Sequence, residues 1–200
     1  MPALDISIAE ATATFQTNVI SVMHIVQVFS PLLIASKGTI VQIGSVTAVM
    51  PYMFGSVYNA TKAALLAYSN TLRIELEPFG VKVVTISTGG VRSRIARGHG
   101  GLPPGSRYAP VDDVYARRVT HSQDGAMETQ VYAKRVVGRV LGLDSWVTWL
   151  LLRSKRKIWE GNMARVIWFV STFLWDGALD VAMKRMFNIA RLSARKIDQS

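Results

Sequence analysis

Three residue types at fixed spacing carry the first chemical signal in this chain. Ser45, Tyr58 and Lys62 lie in "IGSVTAVMPYMFGSVYNATKAALLAY", thirteen positions from serine to tyrosine and four from tyrosine to lysine. An unassisted phenol titrates at about pH 10 and is a poor acid–base catalyst at neutrality. A cation one helical turn away stabilises the phenolate and lowers that value. Residues i and i+4 of a helix share a face, so Lys62 can serve Tyr58 in this way. A serine at the end of the preceding strand can donate to the same reacting oxygen. Such a trio suits proton transfer to or from a carbonyl or alcohol oxygen while a hydride moves at carbon. Y-x-x-x-K alone arises often by chance, and Ser45 ahead of it makes the signal more specific.

The flanking pattern supplies elements that could hold these groups. Residues 7 to about 35 read as one long helix, entered by Ser7 and Glu10 at capping-box spacing and apolar almost all round, with Pro31 expected to bend its last turns. "GTIVQIG" (38–44) reads as a buried parallel strand, 56–78 as a helix ending before Gly80, and "VKVVTIS" (81–87) as a second buried strand. This order predicts a right-handed parallel α/β unit with Ser45 at a strand end, where ligands collect in such sheets. Residues 88–110 read as a loop. Its "GHGGLPPG" (98–105) lacks the strand before and helix after that a phosphate cradle needs. Helices are expected at 111–122 and 127–142.

Composition bounds the remaining readings. Of the 200 residues, half are hydrophobic and 18% charged, which excludes a disordered chain, and one domain fits the length. The formal charge of +10 favours anionic partners. No cysteine is present, so disulfides and thiolate metal sites are excluded, and His24, His99 and His121 have no metal-ligand spacing. No nucleic-acid recognition motif accompanies the charge, so no nucleic acid is expected as partner. The N-terminus lacks signal-peptide character, and no run of about 18 uninterrupted apolar residues predicts a spanning helix.

With Ser45, "YNATK" (58–62), an Asn18 lying 27 residues before Ser45, and "TGGVRS" (88–93), the chain resembles the short-chain dehydrogenase/reductase family. The resemblance implies an NADP(H)-dependent carbonyl reductase or alcohol dehydrogenase. Tyr58 would be general acid, Lys62 would tune it and hold the nicotinamide ribose, Ser45 would orient the carbonyl and Asn18 would anchor a relay water. Gly89, Val91 and Ser93 would face the nicotinamide together with Tyr58 and Lys62, although Thr88 and Ser93 depart from the family's Pro and Thr. Read from the residues alone, Asn18 could also be a polar helix contact and Ser45 a strand-end cap. Within the family, "KGTIVQIGS", "FGSVYNATKAAL", "ELEPFGVKVVTISTGGVRS", "ETQVYAKRVV" and "WEGNMARVIWFV" resemble fungal NADPH-dependent 1-acyldihydroxyacetone-phosphate reductases and ketoreductases of secondary metabolism. The implied substrate is a lipid-like or secondary-metabolite ketone, and the choice of NADP over NAD rests on the resemblance alone.

The family opens with a glycine-rich pyrophosphate turn and carries an Asn-Asn-Ala-Gly turn after its fourth strand; here the first glycine is Gly38 and no Asn-Asn pair occurs. The expected fold is α/β, a partial Rossmann-like, doubly wound parallel sheet lacking its first four strands. Residues 1–143 are expected to form the C-terminal half of the catalytic domain. This predicts an apolar, unprotected edge at strand 38–44 that could drive homo-oligomer formation. A catalytically inactive fragment acting as a membrane-surface or partner-binding protein is the competing expectation. Residues 144–200 are expected to form a Trp-rich, basic helical extension, with "DSWVTWLLLRSKRK" (144–157) as an insertion. From Leu151 to Ser200 ten Lys/Arg face four Asp/Glu, a net of +6. Trp159, Trp168 and Trp175 with Arg165, Lys184 and Arg185 fit either peripheral contact with an anionic membrane or a wall of the substrate pocket. The resemblance implies the endoplasmic reticulum surface or a lipid droplet as location, with the cytoplasm as the alternative.

Overall fold

The computed structural model describes residues 1–93, 100–121, 123–142, 156–175 and 177–194. Most of the expected insertion at 144–157, and His99, lie outside the described residues. The capping box at Ser7 and Glu10 forms as expected and starts α1 (Ile8–Phe15). A π-helical turn (Gln16–Ile20) joins it to α2 (Ser21–Ser36), which continues through Pro31. The remaining order is β1 (Thr39–Ile43), α3 (Ser56–Leu76), β2 (Lys82–Thr88), α4 (Asp112–His121), α5 (Thr129–Leu141), β3 (Lys157–Glu160), α6 (Ala164–Phe173), α7 (Ala178–Met186) and α8 (Ala190–Ala194).

The sheet is parallel throughout in the order β1-β2-β3, with Ile40 opposite Val83 and Ile86 opposite Ile158. Alternation along β2 splits its side chains between two layers. Val83 packs with Leu72 of α3 and Val26 of α2, whereas Val84 and Ile86 pack with Val136 of α5 and Ile158. Helices therefore cover both faces, and β2 is buried on both, as its near-continuous apolar run requires. On α3 the inward stripe runs Thr61, Leu65, Ser69 and Leu72 at helical spacing. Tyr58 and Lys62 continue this stripe towards the sheet's C-terminal end.

β3 was not marked as a strand by its sequence. "KIWE" is short, has charged ends, and offers only Ile158 and Trp159 as strand formers. Composition separates residues 144–200 from the rest, but packing joins them. Ala164, Ile167, Met183 and Phe187 share one core with Val46, Met50, Phe54, Val111, Val114 and Tyr115. Phe54 adopts a left-handed backbone, φ 58°, which is costly for a side chain of this size. Its ring sits edge-on to Tyr108, Tyr115 and Phe187 at 5.6–5.7 Å, and burial of a phenyl ring contributes about 2–3 kcal/mol to offset the cost.

On its far side β1 has no partner strand among the described residues, and Val41 and Ile43 are exposed. Ile25, Val28, Phe29 and Leu32 of α2 are exposed beside it. The continuous helix Ile8–Ser36 is long and apolar enough to cross a membrane by length and composition, which corrects the expectation that no segment qualifies. Apolar residues interrupted by Ser, Thr, Asn and Gln reach that length without forming an unbroken run.

Candidate active site

The C-terminal ends of β1, β2 and β3 open into a cavity of about 980 Å³, within the range of small-molecule sites. Ser45, Tyr58, Lys62, Gly89, Val91 and Ser93 all line it. Ser45 is buried in extended conformation just past β1 and caps the short 3-10 turn Val46–Ala48. Its Oγ accepts from the Thr47 amide at 3.2 Å and from the Thr47 hydroxyl at 3.0 Å. A hydroxyl has two acceptor sites and one proton to donate. Both acceptor sites are taken, so the Ser45 proton remains for an oxygen in the cavity. Capping and substrate orientation are thus compatible roles for this residue.

Lys62 Nζ lies 5.7 Å from the centroid of the Tyr58 ring and donates to the Ile43 carbonyl at 3.2 Å. This bond ties α3 to the end of β1 and fixes Tyr58 beside Ser45. The lowered phenol pKa expected from the spacing is not what the structure holds. Burial pushes the Tyr58 phenol up, against the opposing pull of the Ser45 hydroxyl and the Arg118 charge. Burial likewise pushes the Lys62 ammonium down. Desolvation disfavours the charged form of each and outweighs the neighbours. Tyr58 is therefore held as a neutral phenol, the form that can donate a proton.

Asn18 stands in the π-helical turn, a distortion common at functional sites. It does not line the cavity. Its Nδ2 donates to Thr61 Oγ1 at 3.1 Å, and Thr61 Oγ1 donates to the Tyr58 carbonyl at 2.7 Å. Asn18 thus braces the turn of α3 that carries Tyr58. Gly89 has a backbone reason of its own. A Cβ there would lie 2.1 Å from the Asn162 carbonyl oxygen. The strand ends are laced at this point by Gly89 N–H to Glu160 O at 2.9 Å and by Gly90 and Asn162 exchanging backbone bonds at 3.0 Å. Val91 pairs with Met127, and the Ser93 amide donates to Gln123 Oε1 at 2.9 Å.

Sequence reasoning missed a second wall of the cavity. Arg118 of α4 lies over the Tyr52 ring, 5.4 Å from its centroid, and the Tyr52 hydroxyl meets His121 Nδ1 at 3.2 Å. These residues come together only through the tertiary packing of α4 on the loop before α3, so no local pattern marks them. Glu160 is also unanticipated. It is buried at the end of β3, with Arg139 at 3.1 Å and Arg135 at 3.3 Å. One of its oxygens, Oε2, lies within ion-pair distance of Arg139 without hydrogen-bond geometry, so charge attraction rather than a directed bond compensates it there.

Comparison with known proteins bears on the family and the fold. Residues 1–100 match the family model of short chain dehydrogenases. The chain is 39% identical over 194 residues to the short-chain dehydrogenase srdE of Neurospora crassa, covering 96% of this chain and 64% of that protein. It is 31% identical over 195 residues to the NADPH-dependent 1-acyldihydroxyacetone phosphate reductase of Saccharomyces cerevisiae, covering 96% and 62%. The chain thus spans just under two thirds of the length of these relatives. A solved short-chain dehydrogenase from Streptomyces avermitilis shares the fold at TM-score 0.65 and 21% identity, over 98% of this chain and 66% of its own.

Proposed function

This chain belongs to the short-chain dehydrogenase family, and from that premise we propose that it is an NADP(H)-dependent carbonyl reductase acting on a lipid-like or secondary-metabolite ketone. The observation that carries the reading is the convergence of the Ser45 proton, the Tyr58 phenol and the Lys62 ammonium on one cavity at the strand ends. Ser45 donates to the substrate carbonyl and orients it. Tyr58 gives its proton to the oxygen as negative charge develops there. Lys62 stabilises the resulting phenolate, and Asn18, through Thr61, keeps the Tyr58 turn in place. The nicotinamide group, when bound, supplies the hydride.

The donor set fits the nicotinamide–ribose end of that cofactor. An ammonium has three protons, and Lys62 directs one to Ile43, leaving two for ribose hydroxyls. The Gly89–Gly90 backbone, Val91 and Ser93 offer a wall for the ring. NADP rather than NAD is proposed on the strength of the yeast relative, which is named as NADPH-dependent. The apolar side of the cavity, formed by Val166, Val170 and Leu174, supports a substrate with a hydrocarbon tail, such as an acyl-dihydroxyacetone phosphate. The test is consumption of NADPH by the protein in the presence of long-chain ketones. Consumption that depends on ketone and exceeds that of NADH is expected; a rate indifferent to ketone overturns the reading.

Peripheral membrane contact belongs to the same proposal. Trp168, Phe169, Phe173 and Trp175 are exposed on and after α6, while Ile167 of the same helix is buried in the core. An apolar outer face with indoles at its rim suits the bilayer interface, as at the endoplasmic reticulum or a lipid droplet. Flotation with vesicles should carry the protein upward, more so with anionic lipid, and Trp168→Ser with Phe173→Ser should abolish it. Unchanged flotation in the double variant would rule out this face. The exposed α2 face and the β1 edge support self-association of two copies as a further part of the proposal. A catalytically inactive, partner-binding role is the second reading, favoured only by this same exposed surface.

A further inference from the structure

The cavity contains a cation that proton transfer does not use. Four charged side chains of the described residues line it: Lys62, Arg118, Asp124 and Arg185. Lys62 is engaged with the Ile43 carbonyl, and Arg185 is a solvent-exposed residue of α7. Asp124 faces the same space but forms no ion pair with Arg118. Among the described residues, Arg118 pairs with no carboxylate, and its Nε is buried without a hydrogen-bond partner. A buried guanidinium nitrogen in this state is costly unless something else satisfies it.

Its placement indicates what that partner would be. One terminal nitrogen of Arg118 occupies the space left by Gly55, where a Cβ would lie only 2.7 Å away. Gly55 is the residue before α3 and precedes Tyr58 by three positions, so this nitrogen lies against the backbone one turn before the residue that carries the proton donor. The guanidinium carbon lies over the Tyr52 ring, 5.4 Å from its centroid, and Tyr52 is itself held by His121. The planar fork of a guanidinium matches the oxygens of a phosphate or carboxylate. Val166 and Val170 line the apolar side of the same cavity.

We propose that Arg118 binds an anionic substituent, phosphate or carboxylate, on an apolar-tailed ketone whose carbonyl meets Ser45 and Tyr58. The assignment rests on the reductase reading and adds to it the residue that selects for a charged substrate.

The test is calorimetric binding of three long-chain ketones of equal tail length, bearing a phosphate, a carboxylate or a hydroxyl at one position, each below its micelle-forming concentration. The wild-type protein should bind the anionic ketones at least about tenfold more tightly than the neutral one, and the two anionic arms rank phosphate against carboxylate. Arg118→Met should erase that preference and leave neutral-ketone binding unchanged, while Arg118→Lys should retain part of it. Equal affinity of the wild type for all three ketones overturns the proposal. So does equal weakening of all three by Arg118→Met, which would make Arg118 a packing partner of Tyr52. If Arg118→Met fails to fold, a reduced preference in the folded Arg118→Lys protein carries the same weight, and an undiminished preference there overturns the assignment to the Arg118 fork. Tyr58→Phe should keep the charge preference. A wild type that prefers anionic ketones but transfers no hydride to any of them would defeat the reductase reading and leave Arg118 as an anion site.

Discussion

Tyr58→Phe is expected to lower ketone reduction by about a hundred- to ten-thousandfold, the usual contribution of a positioned proton donor. The change removes one oxygen and leaves the ring in place, so binding of ketone and cofactor should change little. The loss should therefore appear in kcat and not in KM, measured as NADPH consumption against ketone concentration. The pH dependence has a definite sign. Burial raises the Tyr58 pKa above its ordinary value of about 10, so the phenol keeps its proton throughout the neutral range. Reduction limited by this group should hold steady from neutrality upward and fall only as pH rises through the raised value. The same shift links to stability: it is fully present below the unfolded-state pKa and is lost as pH climbs through the folded one. A rate that already falls between pH 7 and 9 with a Tyr58-dependent midpoint would contradict the burial seen here.

Gly89→Ala is expected to destabilise the fold by about 3 kcal/mol, the upper end of the range for atoms forced into a packed site. The added methyl would lie 2.1 Å from the Asn162 carbonyl oxygen, which is backbone and cannot rotate away. Gly161, at φ 101°, is held against Gly89 on the other side of the crossing, so neither strand end can yield alone. In a chain of this length the melting temperature should drop by roughly 10 °C. Thermal unfolding followed by circular dichroism measures it, and a drop of less than about 2 °C would show that the crossing relaxes freely. The prediction separates two reasons for a glycine at this position. The family resemblance implies a nicotinamide contact, and the backbone crossing is sufficient by itself.

The long periodic elements were legible because their signals are local. The β-branched runs gave β1 and β2 to within a residue or so, and the Ser7–Glu10 box set the start of α1. The i, i+4 relation placed Tyr58 and Lys62 on one face without any knowledge of the sheet. β3 was illegible because four residues between charges carry too little pattern, and it is defined by pairing with β2. The tail read by composition as an extension has Ile167, Met183 and Phe187 inserted into the main core, which only packing reveals. Spacing foresaw a cation near the phenol, but the direction of the Tyr58 shift depends on burial, a tertiary quantity. Arg118 and Tyr52 are separated by 66 positions of chain and meet through a cation–π contact that leaves no trace in the sequence.

The most direct test of the central claim, that Ser45, Tyr58 and Lys62 form a working carbonyl-reducing site, is isotope transfer. The protein is incubated with a long-chain ketone and NADPH deuterated at the nicotinamide C4 position, and the alcohol is examined by mass spectrometry. Deuterium on the carbinol carbon is expected with the wild type, falling to background with Tyr58→Phe. Alcohol formed without deuterium, or deuterium incorporation by the Tyr58→Phe protein equal to that of the wild type, would contradict the account.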